Sequence, residues 1–382
     1  MENDNVVYWL GAGASYNAIP VVRGMGARLY EFLNYFSSNN FVSVIYNKLN
    51  IKKIDEKWFD YVIEINESYS IDTLVRKYYL SEQFDKANEL KKLLCSYLLW
   101  EQIIKPNSNS TPDLIQRNID KEALNVFHEY PANLLKNNYP TDYAIGYTNR
   151  FNYSSNKGEQ FDKPYDGHST TLRNLDFRYE SLLSAIASKR YKINDRFSFI
   201  SWNYDSQIEI ALNKLFSDGS KNEELSKENI TTREIEKIIK SKLIKLNGSI
   251  DHSDLFIENM SKLHSSNKIS ELNKIYEFLC GSAEMKHSIR FAWDPQQKEV
   301  LRKAKDLLRN AKYVIICGYS FPEYNREIDK ELIQSMTIGL NKRIIVQDTL
   351  ANIEMVVSRI KSIKPNISID KYTDLNQFFI PL

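Results

Sequence analysis

Two apolar spacings alternate along this chain. Val6-Val7-Tyr8-Trp9-Leu10 is an unbroken apolar run that stops at Gly11-Ala12-Gly13-Ala14-Ser15. A strand buried on both faces reads as such a run, and small residues at its end predict a sharp turn into a helix. Over 22–36 the period changes. Met25, Leu29, Phe32, Leu33 and Phe36 recur at helical spacing and predict one buried helix face. After Asp195 strand and helix patterns alternate. Strands are predicted at 196–201, 243–246, 313–317, 342–347 and 367–372, and helices at 206–216, 298–310, 327–339 and 350–360. Such alternation predicts an α/β fold, a Rossmann-like doubly wound parallel sheet with right-handed crossovers.

The segment between these parts has a different character. It is rich in Asn, Lys, Tyr and Leu. Over 82–99, Ala87, Leu90, Leu94 and Leu98 fall on one helix face. Ile71-Asp72-Thr73-Leu74 fits a helix start, with Asp72 as candidate cap. Polar stretches at 106–112 and 148–169 predict surface connections, and an amphipathic helix at 172–187 closes the segment. The expected organisation is therefore 1–30 and 195–382 as the sheet domain, with 31–194 as a large, mostly helical insertion that serves assembly or covers the sheet as a lid. Polar helical excursions are predicted at 222–240 and 258–280. The end, 378–382, either docks or frays.

Composition narrows the partners. The 382 residues carry a formal net charge of +2, which gives no global field for nucleic acid or an anionic membrane. No uncharged apolar run is long enough to span a bilayer. The first strand follows Asn5 at once, so no signal peptide is expected and a cytoplasmic location is. The three cysteines, Cys95, Cys280 and Cys317, form no Cys-x-x-Cys, and the histidines are scattered, so no metal is expected. Cys317 reads as a small core residue within its strand.

Ligands of doubly wound sheets bind outside the carboxyl ends of the strands. The predicted ends read Gly11-Ala12-Gly13-Ala14-Ser15, Trp202-Asn203-Tyr204-Asp205, Asn247-Gly248-Ser249, Gly318-Tyr319-Ser320 and Gln347-Asp348. Small, hydroxyl and amide residues collect where phosphates and ribose hydroxyls would sit, which points to a nucleotide. A dehydrogenase is a poorer fit. Tyr16 occupies the place of the third glycine in Gly-x-Gly-x-x-Gly, and no acidic residue ends a second strand about twenty residues on.

Gly11-Ala12-Gly13-Ala14-Ser15, Ile19-Pro20, Trp202-Asn203-Tyr204-Asp205, Phe291-Ala292-Trp293 and Gly318-Tyr319-Ser320-Phe321-Pro322 together resemble the sirtuin superfamily, and more closely the sirtuin-like NAD hydrolases of bacterial anti-phage defence. The resemblance covers 5–30 and 195–350. It implies NAD+ as substrate, with Gly11, Ala12, Gly13, Ala14 and Ser15 as the pyrophosphate loop. Asn203 matches the asparagine that holds the nicotinamide ribose and the attacking nucleophile, although an asparagine here also suits capping of the next helix. Asp205 either bonds ribose or loop amides, or caps that helix. Gly318, Tyr319 and Ser320 would face the phosphates or the adenosine ribose, and Gln347 and Asp348 the adenosine end. Arg23 resembles the arginine after the Ile-Pro pair, and otherwise is a surface charge. Family relatives occur as homo-oligomers, with DNA-translocating ATPases or beside short Argonautes, so an assembly or partner that restrains activity is expected.

One position departs from the family. Leu246-Asn247-Gly248-Ser249 stands where the family has His-Gly, and the histidine is its general base. Asparagine takes no proton near neutral pH. Either the change is natural and disables the chain, leaving a module that binds NAD or ADP-ribose, or it is an engineered trap, or the chemistry needs a positioned water more than a strong base. His252, five residues on, enters the site or lies in a solvent loop. A deacylase is not expected, because its four-cysteine zinc module cannot be built here.

Overall fold

The apolar runs become the strands of one parallel sheet. In the computed structural model, residues 4–19, 22–37, 53–68, 70–104, 175–188, 192–217, 232–250, 265–285, 287–294, 298–336 and 342–381 are described. The sheet strands are β1 (Val6–Leu10), β2 (Phe197–Ser201), β3 (Leu243–Lys245), β4 (Tyr313–Cys317), β5 (Arg343–Gln347) and β6 (Ile369–Tyr372). Their spatial order is β3-β2-β1-β4-β5-β6, with every pairing parallel. Chain order therefore reverses at β1, and the crevice beyond the ends of β1 and β4 is the topological switch point. The fold is Rossmann-like α/β. The sequence places each of these strands to within about two residues, the usual margin for element ends.

Register brings the strand ends to one level. Leu10 pairs with both Ser201 and Cys317, Ser201 with Lys245, and Cys317 with Gln347. The segments after those residues leave the sheet side by side.

Helices cover both faces. They are α1 (Val22–Ser37), α2 (Lys57–Glu67), α3 (Ile71–Leu80), α4 (Phe84–Ile104), α5 (Phe177–Ile186), α6 (Gln207–Ser217), α7 (Thr232–Lys242), α8 (Ser265–Leu279), α9 (Lys298–Asn310), α10 (Arg326–Ser335) and α11 (Leu350–Ile363). Side chains alternate across a strand. Val6, Tyr8 and Leu10 join one core with buried residues of α1 to α6 and α8. Val7 and Trp9 join the other, with residues of α9, α10 and α11. Each large apolar side chain buried this way contributes about 1.5–3 kcal/mol, which is why β1 has no polar position. The helices at 57–104 and 177–186 share the first core with the sheet, so the described helices of the inserted segment pack on it.

Local chemistry corrects some boundaries. Asp72 is not the cap of α3. Ser70 is, its side chain accepting from Thr73 N at 3.2 Å, and Asp72 lies inside the first turn. The helix at the end of the insertion begins only at Phe177, because Asp176 caps it by accepting from Arg178 N at 3.1 Å. The C-terminal segment docks. Tyr8 Oη donates to Phe379 O at 2.8 Å, Arg196 Nη2 to Pro381 O at 3.2 Å, and Phe378 is buried. The polar stretches at 106–112 and 148–169, the first residues of the 222–240 and 258–280 excursions, and His252 lie outside the described residues.

Candidate functional site

Two glycine turns meet at the switch point. Ala12–Ser15 is a single 3-10 turn, closed by Ala14 N donating to Gly11 O at 2.8 Å. Gly11 N donates to Cys317 O at 3.0 Å and Gly13 N to Gly318 O at 2.9 Å. The backbones touch: a Cβ on Gly318 would lie 2.3 Å from the carbonyl carbon of Gly13, and one on Gly11 would lie 2.6 Å from Tyr319 Cα. Gly318 also has φ +57°, the left-handed region that glycine enters without strain. These glycines are thus fixed first by loop meeting loop. The amides of Gly11, Gly13 and Ala14 are occupied by protein carbonyls, while Ala12 stays exposed and Gly13 half-buried at the rim.

Asn203 ties β2 to this loop. Its Nδ2 donates to Gly11 O at 2.9 Å and to Ser15 Oγ at 3.2 Å. Its own N–H is held by Ser201 Oγ at 3.0 Å. It does not cap α6: Ser206 N there goes to Gln102 Oε1 of α4 at 2.9 Å. Ser15 Oγ also lies 3.2 Å from Tyr179 Oη of α5 and bonds the Asp205 carboxyl. Asp205 Oδ1 accepts from Gln207 N at 3.1 Å, one residue ahead of the cap position, which Ser206 takes with its carbonyl accepting from Ile210 N at 2.8 Å. Burial pushes the Asp205 carboxyl above the ordinary carboxylate range, and nearby Lys245 opposes that shift. Lys245 in turn pairs with Glu209 at 2.8 Å.

Asn247 lies beside the end of β2. Its Nδ2 donates to Trp202 O at 3.3 Å and to Tyr204 Oη at 3.4 Å. Its Oδ1 is buried and has no partner among the described residues. Asn203 and Asn247, 7% and 6% exposed, are therefore two neutral amides on adjacent strand ends. Tyr204 Oη donates to Asp72 Oδ1 at 3.5 Å, and burial pushes the Asp72 carboxyl up to about 6. Gly248 adopts φ +71° because its backbone passes Ser288, whose carbonyl oxygen a Cβ would meet at 1.9 Å.

Other candidates are placed elsewhere. The side chain of Tyr319 points into the second core, stacked at 5.9 Å on both Trp9 and Trp202, with its hydroxyl donating to Asp329 Oδ2 at 2.8 Å. Ser320 is exposed and gives its carbonyl to Arg359. Asp348 accepts from Thr349 N at 2.7 Å and Asn352 Nδ2 at 3.4 Å, at the start of α11. Gln347 is spent on the C-terminal segment, donating to Asp374 O and Gln377 O at 2.6 Å each and accepting from Phe379 N at 3.1 Å. Arg23 lies in α1, and its side chain, like Pro20, is outside the described residues. Ser15, Asn203, Asp205 and Asn247 thus gather around β1 and β2, while the adenosine-side candidates are held by other contacts.

The sequence reading missed a buried ion pair that supports the loop from behind. Arg178 Nη2 donates to Ala14 O at 3.0 Å and Gly13 O at 3.4 Å, and its Nε to Asp176 Oδ1 at 2.9 Å. Asp176 also accepts from Asn17 Nδ2 at 3.4 Å. Burial opposes the charge on Arg178, but the bond to Asp176 outweighs it and raises the guanidinium further. Asp-x-Arg-Tyr at a helix start carries no signature beyond the cap, so only the fold reveals this role.

No group of three or more metal-ligating side chains occurs among the described residues. No described helix is long and apolar enough to cross a membrane. Searches against protein-family models, curated proteins and solved structures find no match for this chain. The fold and the level strand ends define a Rossmann-like α/β protein, and its chemistry must be argued from the site.

Proposed function

We propose that this chain is a sirtuin-like NAD+ hydrolase, cleaving NAD+ to nicotinamide and ADP-ribose and acting as an anti-phage effector through NAD depletion. The observation that carries the reading is the pair of buried amides. Asn203 is locked to Gly11 and Ser15, and Asn247 beside it presents an unpaired Oδ1. Breaking the nicotinamide–ribose bond expels a neutral amine from a cationic glycoside through an oxocarbenium-like transition state, as in glycoside hydrolysis. Groups beside such a carbon need to position a water and sugar hydroxyls, and uncharged amides do both. In this reading Asn203 orients the ribose and the water, Asn247 accepts from a ribose hydroxyl, and Asp205 keeps the β2 end in place. The turn from Gly11 to Ser15, against Gly318, borders the pyrophosphate.

A second reading has its own support. Asn247 does not titrate, so a module that binds NAD or ADP-ribose without turnover fits the same contacts. Purified protein incubated with NAD+ separates the two. Nicotinamide release that Asn203→Ala abolishes supports hydrolysis, and calorimetric binding of ADP-ribose without release supports the module. Absence of both removes the nucleotide reading. Restraint by self-assembly, by a DNA-translocating ATPase or by a short Argonaute belongs to this proposal, with the helices of 31–194 as the contact surface. Mass photometry of charge reversals on α2 to α4 tests it, and unchanged oligomeric mass across the set counts against assembly.

A further inference from the structure

Asp72 belongs to α3, outside the sheet, yet its carboxylate reaches the end of β2. Tyr204 Oη donates to Asp72 Oδ1 at 3.5 Å, and the same oxygen accepts from Asn247 Nδ2 at 3.4 Å. A hydroxyl has one hydrogen to give. While that hydrogen points at an ionised carboxylate, the oxygen can only accept, and it takes an N–H from the neighbouring amide, whose Nδ2 also donates to Trp202 O at 3.3 Å. The Asn247 Oδ1 is then left over, buried and without a partner among the described residues. Buried acceptors without partners are rare in folded proteins, and one held in place by three long hydrogen bonds points to a ligand hydroxyl or water.

We propose that Asp72 is a positioning residue which, through Tyr204, holds the Asn247 amide with its Oδ1 turned toward a hydroxyl of the bound ligand. The inference rests on the nucleotide reading of the site. Protonated Asp72 becomes a donor to the Tyr204 oxygen. The tyrosine hydrogen then swings toward Asn247 Nδ2, the amide keeps only its bond to Trp202 O, and its Oδ1 is less firmly aimed. Other groups around the chain of bonds come from several elements. Arg76, one turn along α3, lies over the Trp293 ring at 5.4 Å. Asp294 acts on Tyr204 and is paired with Lys91 of α4. Thr73 Oγ1 meets Tyr324 Oη at 3.3 Å. None of these bonds Asp72 itself, so its protonation is governed by burial, opposed first by the bond from its own backbone amide and then by Tyr204.

The test has two arms on the full-length protein. The first needs no ligand: carbon-13 NMR of labelled Asp and Tyr side chains across pH 4.5–8, with Asp72 assigned by Asp72→Asn and Tyr204 by Tyr204→Phe. The expected result is a Tyr204 ring signal that follows the Asp72 titration and loses that response in Asp72→Asn. A Tyr204 signal indifferent to Asp72 overturns the proposal, whatever the activity. The second arm follows nicotinamide release over the same range. Wild type should lose kcat as Asp72 protonates, with KM for NAD+ little changed. Asp72→Asn should flatten that limb, Asp72→Glu should restore it, and Tyr204→Phe should lower kcat about tenfold, the size of one neutral hydrogen bond. An unflattened profile in Asp72→Asn overturns the proposal. Coupled NMR signals in a protein that releases no nicotinamide support the positioning role while refuting the hydrolase reading, so the two failures are distinguishable.

Discussion

The side-chain amide of Asn203 donates to the carbonyl oxygen of Gly11 at 2.9 Å, joining two strand ends that are 192 residues apart in the chain. That bond ties the glycine turn to β2 and leaves Asn203 buried at the switch point. Substitution separates its two roles. Asn203→Ala leaves Gly11 O without this donor, a cost of about 1–3 kcal/mol for a buried group. Asn203→Asp places a carboxylate against that same carbonyl and should destabilise more. Urea midpoints are expected to fall in the order wild type, Ala, Asp, with nicotinamide release lost in both variants. Equal midpoints for all three would mean that the Asn203–Gly11 bond does not hold the turn.

Gly318 and Gly281 form a matched pair. Both have positive φ, +57° and +69°, but a Cβ on Gly281 meets nothing within 4 Å among the described residues whereas one on Gly318 runs into Gly13 and Ala14 backbone. Gly281→Ala is expected to cost only the left-handed strain, about 1–2 kcal/mol. Gly318→Ala adds a backbone collision at the site and should destabilise by several-fold more, with loss of ADP-ribose binding. Thermal denaturation and calorimetry check both. Similar melting temperatures for the two variants would contradict the loop-on-loop contact.

Asp72 makes stability depend on pH in a direction opposite to an ordinary paired carboxylate. Its folded value of about 6 lies above an unfolded value of about 3.9. Between the two, the native state holds more protons than the unfolded chain, so its contribution falls as pH rises and is flat above pH 6. The full difference corresponds to about 3 kcal/mol. Asp72→Asn should match wild type near pH 4 and be the more stable protein at pH 8, read as a rising gap in urea midpoint. A variant less stable than wild type at both pH values would refute the burial cost. A carboxylate kept where it weakens the fold fits a functional role better than a structural one.

The central strands β1 and β4 are readable because a parallel strand buried on both faces has no polar position to hide it. Val314, Ile315 and Ile316 announce themselves, as do the small residues where β1 and β4 stop. The placement of the candidate residues nearest β1 and β2 is readable for the same reason: Ser15, Asn203 and Asn247 follow strands whose register is fixed by the core. Illegible were the contacts made by elements far away in sequence. Asp72 looks like a cap until Ser70 takes that place, and the Arg178–Asp176 pair behind Gly13 needs the packing of α5 to be seen. Tyr319 misleads in another way. It follows a strand end like its neighbours, but Gly318 at φ +57° breaks the side-chain alternation of β4, and the ring enters the second core against Trp9 and Trp202 instead of the face of Ile315 and Cys317.

Asn247 allows the sharpest chemical test. Its amide lies 3.3 Å from Trp202 O and 3.4 Å from Tyr204 Oη, so an imidazole there has an acceptor for one ring nitrogen and leaves the other as a base. General-base assistance is typically worth about 10²–10⁴-fold. Asn247→His is therefore expected to speed nicotinamide release within that range, while ADP-ribose affinity changes little. The base works only when deprotonated, so the rate should rise with pH through the imidazole pKa, which burial lowers from about 6.5. This limb is absent from wild type and survives Asp72→Asn, which distinguishes it from the carboxylate effect. A histidine variant that binds ADP-ribose yet releases nicotinamide no faster would show that the acceptor at 247, rather than a base, is what this site requires.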